Sequence, residues 1–159
     1  MGQLMIKGLH HNAYRCRDSE ETRRFYEDFL GLPFAAAYVI EETKTGRATR
    51  ALHTFFTMGD GSSLAFFEVP DMPFEFKEQH DYDLHIALEV DESVLEPMLE
   101  KARAASVPTR GVSDHGSMRS IYFHDPNGYV IELAARIPGE RNAQSPRAML
   151  ERWQAEKRR

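Results

Sequence analysis

His115-Gly-Ser-Met-Arg-Ser-Ile-Tyr122-Phe-His124-Asp125-Pro126-Asn127-Gly128-Tyr129-Val-Ile-Glu132 decides how this chain of 159 residues is read. A strand-like run ends at His124 and enters Asp125-Pro126-Asn127-Gly128, where proline presets one turn angle and glycine supplies positive φ. The run from Tyr129 to Ala135 then has the make-up of a second strand, yet carries Glu132 between Ile131 and Leu133. A carboxylate in such a strand either faces solvent or, when buried, needs a cation beside it. His11 and His85 are two more polar residues inside strand-like runs. Two imidazoles and one carboxylate form a donor set that suits a divalent first-row metal and leaves coordination positions open.

Outward from that stretch the pattern falls into two similar halves. In the first, Leu9 to Cys16 reads as a strand, and Asp18-Ser19 caps a helix to about Leu30, with Phe25, Phe29 and Leu30 on one face and Gly31 as the stop. Strands follow over about 34–42, 48–58 and 63–69, parted by Thr45-Gly46 and Gly59-Asp60-Gly61. In the second half, 83–90 is a strand and Asp91-Glu92-Ser93 opens a helix to about Ala105. Short strands come next near 108–112, 118–124 and 129–135. Each half is β-α-β-β-β. His11 lies seven residues before Asp18 and His85 six before Asp91; Gly61 matches Gly128. Four residues on from each glycine stand Ala65 and Glu132, so the repeat holds over both ends of the module. The expected fold is α+β: two βαβββ modules, 6–70 and 82–136, in one domain over 6–136, with a curved, mixed, largely antiparallel sheet cleft. On a regular strand His10 points away from His11.

Beyond Pro138 the character changes. Gly139 to Gln144 reads as a linker, so 137–159 is linker plus helix. Ser145-Pro146 starts that helix, serine as N-cap and proline at its first position. Met149, Leu150 and Trp153 form an apolar stripe at helical spacing that needs a surface to cover. A net charge of −5 gives no case for nucleic-acid binding, and no long apolar run predicts a membrane span or an export signal. The single cysteine, Cys16, excludes an internal disulfide and fits a reducing cytoplasm.

Leu9-His10-His11-Asn12-Ala13-Tyr14, then Phe25-Tyr26-Glu27-Asp28-Phe29-Leu30-Gly31, resembles the opening of the vicinal oxygen chelate superfamily, the group of glyoxalase I, bleomycin-resistance proteins and extradiol ring-cleaving dioxygenases. Leu84-His85-Ile86-Ala87-Leu88 and Asp125 to Leu133 are similar to its second-module motifs. The resemblance covers about 6–136 and implies a divalent metal bound by His11, His85 and Glu132, with Fe(II) or Mn(II) preferred and Zn or Ni able to stand in. Glyoxalase I carries a fourth ligand where the repeat puts Ala65; Glu68 is three residues on and on a regular strand faces the other way. His115 through Glu132 resembles the extradiol signature, apart from Ser113 two residues before His115. That match implies His115 and Tyr122 near the substrate. The ring cleavers' acid–base histidine has no counterpart at the end of the first module, where Phe66-Phe67-Glu68 stands. Glu68, or His53 from the neighbouring strand, is then the candidate base.

The resemblance thus implies a metal-dependent dioxygenase acting on a small vicinal-diol or catechol-like substrate, which chelates the metal. A glyoxalase-type lyase or epimerase is the alternative, and a binding protein without turnover is a third. A homodimer with each site inside one chain is expected.

Overall fold

Two four-stranded sheets carry the chain, and both are assembled in the same order. The computed structural model describes residues 5–138 and 145–157. The first sheet holds β1 (Tyr14–Arg15), β2 (Phe34–Glu42), β3 (Ala48–Thr57) and β4 (Ser63–Glu68), in the order β1-β4-β3-β2. The second holds β5 (His85–Glu89), β6 (Thr109–Asp114), β7 (Met118–His124) and β8 (Val130–Arg136), in the order β5-β8-β7-β6. The first sheet is mixed: β1 runs parallel to β4, while β3 is antiparallel to β2 and β4. Between the first and second strands of the first module, α1 (Ser19–Arg23) passes directly into a π-helix, Arg24–Phe29. In the second module a 3-10 turn, Glu92–Val94, leads into α2 (Leu95–Ala104), and α3 (Pro146–Glu156) follows the last strand. The fold is therefore α+β, two βαβββ modules with a C-terminal helix.

The compact units of the structure do not follow the module boundary. One comprises the chain up to Ile86 together with His124–Ile131; the other comprises Ala87–Phe123 and the chain from Glu132 onward.

In the first unit the helix forms where the sequence punctuates it. Asp18 is extended and its Oδ1 accepts the Glu21 N–H, satisfying one donor that the first turn leaves unpaired. Phe25, Tyr26 and Phe29 are buried. Tyr26 packs on Phe66 of β4 at 4.7 Å and on Phe56 of β3 at 5.6 Å between ring centroids. The helix widens at its end, where the Leu30 N–H reaches back five residues to the Phe25 carbonyl, and Gly31 stops it at φ +82°.

The Asp125–Gly128 turn belongs to this unit and is pinned by side chains. Asp125 Oδ1 accepts the N–H groups of Asn127 and Tyr129, while Asp125 Oδ2 accepts the Tyr26 hydroxyl at 2.8 Å. Asn127 Oδ1 accepts the Arg17 N–H, and the Tyr129 hydroxyl donates to the Arg15 carbonyl. Gly128 sits at φ +94°, with the Lys77 carbonyl where a Cβ would stand. Burial raises the Asp125 carboxyl above its ordinary value, and it raises the Tyr129 phenol to about 12.

Two expected elements are shorter than their patterns. Instead of a strand over Leu9 to Cys16, regular pairing is confined to Tyr14–Arg15, and His11 makes one bridge to Ser63. The Asn12 side chain takes the place of a backbone acceptor there, its Oδ1 receiving the Ala65 N–H at 3.3 Å. Because the segment is irregular, His10 does not point away from His11; their Nδ1 atoms lie 2.7 Å apart. Likewise β5 begins at His85 because the N–H groups of Asp83 and Leu84 both turn back to the His80 carbonyl.

In the second unit Leu95, Leu99 and Ala102 of α2 are buried, as are Ile121 and Phe123 of β7 and Leu133 and Ala135 of β8. Asp91 precedes the 3-10 turn without a side-chain capping bond. Ser145 caps α3 through the Ala148 N–H, with Pro146 in the first turn. None of the described α3 side chains is buried, and Leu150 and Trp153 are 51% and 61% exposed. The expected linker over Gly139 to Gln144 lies outside the described residues. Among the described residues no helix is long and apolar enough to cross a membrane.

Candidate metal centre

His11 and His85 lie in the first unit and Glu132 in the second. Among the described residues neither unit by itself gathers three His, Cys, Asp or Glu side chains into a metal-binding group.

His11 is exposed at the edge of β4, and its ring stands 5.6 Å from Phe55 and 6.3 Å from His53. Cross-strand register explains the grouping. Phe55 faces Ala65 and His53 faces Phe67, so these four side chains share one face of the first sheet. Ala65 fills the place that Glu132 holds in the second module. His53 lies flat on Phe67, with centroids 3.7 Å apart and planes 8° from parallel, and its Nδ1–H donates to the Phe66 carbonyl. Glu68, next along β4, is on the opposite face, where its Oε2 accepts the Ser19 N–H at 2.8 Å at the start of α1. The Glu68 carboxylate is thus engaged by a helix N-terminus, while on the other face the His53 ring lies near His11, whose Nδ1 also meets His10.

His85 is exposed, and its Nδ1–H donates to the Asp81 carbonyl at 2.7 Å. That bond assigns the Nδ1 proton and orients the ring. A metal-ligating histidine is commonly oriented in this way by a backbone carbonyl. The donor chemistry of His85 therefore fits a divalent ion.

In the second unit the side chains of Glu132, Tyr122 and His115 form a hydrogen-bonded chain. Glu132 is 3% exposed on β8. The Tyr122 hydroxyl on β7 donates to Glu132 Oε1 at 3.1 Å, and His115 Nε2 lies 3.1 Å from the same hydroxyl. Since the phenolic proton goes to Glu132, His115 Nε2–H is the donor to the Tyr122 oxygen. Burial, then the Glu132 charge, raises the Tyr122 phenol above its ordinary value. Arg110 lies over the Tyr122 ring at 4.5 Å, because Arg110 and Tyr122 are register partners on β6 and β7. Glu132, Ala134 and Arg136 alternate onto one face of β8. There Ala134 and Arg136 line a cavity of about 680 Å³ with Glu89 and Met118. Arg136 and Glu89 form an ion pair at 2.6 Å across it.

The structure therefore brings His115, Tyr122 and Glu132 together, and His11 with His53. Arg110 and the Asp81 carbonyl were not legible in the sequence. The first depends on a strand register, and the second is a backbone group that any residue would supply.

The comparisons agree with this architecture. The family model described as "Glyoxalase/Bleomycin resistance protein/Dioxygenase superfamily" matches residues 8–133. A metallothiol transferase FosB of Shouchella clausii is 29% identical over 142 residues, which is 87% of each chain. The fosfomycin resistance protein FosX of Listeria monocytogenes, solved with Mn(II) and sulfate, is 22% identical. It superposes with a TM-score of 0.61 over 84% of this chain and 95% of its own. TnmS3, an antibiotic binding protein from Streptomyces sp. CB03234, is 20% identical, with a TM-score of 0.61 over 85% of this chain and all of its own. The matched span runs from just before His11 to just beyond Glu132, and the chain belongs to the glyoxalase/bleomycin resistance protein/dioxygenase superfamily.

Proposed function

We propose that His11, His85 and Glu132 hold one divalent metal ion, Fe(II) or Mn(II), and that the protein is a dioxygenase acting on a small catechol-like substrate. The hydrogen-bonded chain His115–Tyr122–Glu132 carries this reading. It places an imidazole N–H donor and a phenol beside the carboxylate proposed as ligand, two groups suited to receiving and positioning a substrate oxygen. A bound divalent ion would supply Lewis acidity, lowering the pKa of a chelating hydroxyl and orienting it. His53, beside His11, is the base that would take the hydroxyl proton, and it replaces Glu68 in that role because Glu68 is engaged at α1. The alanine at position 65 speaks against a four-ligand glyoxalase-type centre.

The likeness to the metallothiol transferase FosB favours a second reading, metal-dependent transfer of a thiol. The likeness to TnmS3 favours a third, binding without turnover. Metal analysis comes first: wild type should carry about one ion per chain, and His85→Ala and Glu132→Ala should each lose most of it. Equal content in all three would end the metal assignment. Oxygen uptake across a catechol panel, after anaerobic loading with Fe(II), then tests the reaction. Uptake with a catechol supports the dioxygenase. Thiol consumption with an epoxide and no oxygen uptake supports the transferase. Tight ligand binding with neither supports the binding protein.

A further inference from the structure

The face of the first sheet that carries His53 continues into a cavity of about 280 Å³, lined by Arg15, Ile40, Ala51, Phe67, Val69 and Met72. Strand register accounts for the lining. Ile40 pairs with Ala51, Ala51 lies two residues from His53 on β3, and His53 pairs with Phe67. Phe67 is thus shared, lining the cavity and stacking on His53, whose ring faces His11.

The wall is almost wholly apolar despite Arg15. The Arg15 Nη2 group donates to the carbonyls of Val69 at 3.1 Å and Met72 at 2.6 Å, and the guanidinium lies over Phe74. Those donors serve the backbone beyond β4. Thr49, which also lines the cavity, donates its hydroxyl to the Asp71 carboxylate, itself 3.7 Å from Arg47. Almost no polar surface is left facing the cavity, so a charged occupant would lose its hydration there with little in return. An uncharged ring does not meet that difficulty, and the volume exceeds the roughly 150 Å³ that houses a benzene molecule in a protein core.

We propose that this cavity is the subsite for an uncharged aryl substituent of the substrate, with Ala51, Ile40 and Phe67 setting specificity. The inference rests on the reading that the His11–His53 face receives the substrate, and the test separates the two. With methyl-labelled alanine and isoleucine, toluene should shift the Ala51 and Ile40 resonances saturably. Ala51→Trp, which plugs the cavity, should abolish the Ile40 shift. Met72→Trp plugs it from the rim and serves if Ala51→Trp loses its dispersed spectrum. Absence of toluene shifts in wild type overturns the subsite. In metal-loaded protein, 4-phenylcatechol should bind at least about tenfold more tightly than catechol, the discrimination that an apolar pocket gives for small apolar groups. The plugged variant should lose that ratio. Equal affinities in wild type overturn the proposal. Toluene binding with no affinity for either catechol supports the aryl subsite and overturns the catechol reading instead.

Discussion

Tyr26 and Asp125 show how much rests on single polar atoms. Tyr26 is fully buried, and burial followed by the Asp125 charge pushes its phenol well above the ordinary value, so it is the hydroxyl that donates. Tyr26→Phe keeps the ring against Phe56 and Phe66 but deprives a buried carboxylate of one donor. We expect a loss of about 1–3 kcal/mol in urea unfolding; no loss would mean that Asn127 and the Tyr129 amide suffice. Asp125 also predicts a pH dependence. Its folded carboxyl is raised above 3.8 by burial, so the folded state binds the proton more readily than the unfolded state. The contribution is full below 3.8 and is lost as pH rises through the folded value. The stability of wild type relative to Asp125→Asn should therefore fall as pH rises from 3.8 through the folded value. A flat or rising difference would reverse the assignment. Cys16 is pushed to about 11, chiefly by burial. Iodoacetamide at neutral pH should leave it unmodified in native protein and alkylate it in urea; rapid native alkylation would contradict its burial.

At the scale of elements, the helices were legible from their opening residues, with Asp18 and Ser145 making the side-chain cap and Asp91 standing before its helical turn without one. The longer strands were legible from alternation between turn residues, with β2 and β7 matching their patterns residue for residue. The first strand was not, because Asn12 substitutes a side-chain oxygen for a ladder carbonyl, and no periodicity reveals that exchange. The π-helical end of the first helix was also hidden, since shifting one hydrogen bond by a residue leaves the apolar face almost unchanged. His115, Tyr122 and Glu132 were grouped by the resemblance to the extradiol signature, not by spacing alone; His53 became distinguishable from Glu68 only through register and the Ser19 bond. The Asp125–Gly128 turn yields a test of its own. A methyl at position 128 would overlap the Lys77 carbonyl and strain a positive φ. Gly128→Ala should cost about 1–3 kcal/mol from the backbone alone, and more from the overlap. A melting temperature equal to that of wild type would show that residues 77 and 78 yield freely.

For the whole molecule, the exposed stripe of α3 predicts assembly. Leu150 and Trp153 stand open on a helix with no buried side chain, and we expect a homodimer in which such apolar surface is covered. Sedimentation at micromolar concentration should give twice the mass of 18.3 kDa, and Trp153→Glu should shift it toward the monomer; a monomeric wild type would refute the dimer. The division into two units has a different consequence, for how the protein is made. The chain passes from one unit to the other after Ile86, Phe123 and Ile131. The first unit cannot give Tyr26 its acceptor or hold the Arg17 amide until Asp125 and Asn127 have been synthesised. On the ribosome the first module therefore waits, with its helix and sheet complete in sequence but its core unlocked, for eight residues that are made only after most of the second module. A nonsense codon at position 120 spares every residue of that module and still leaves it without its last piece.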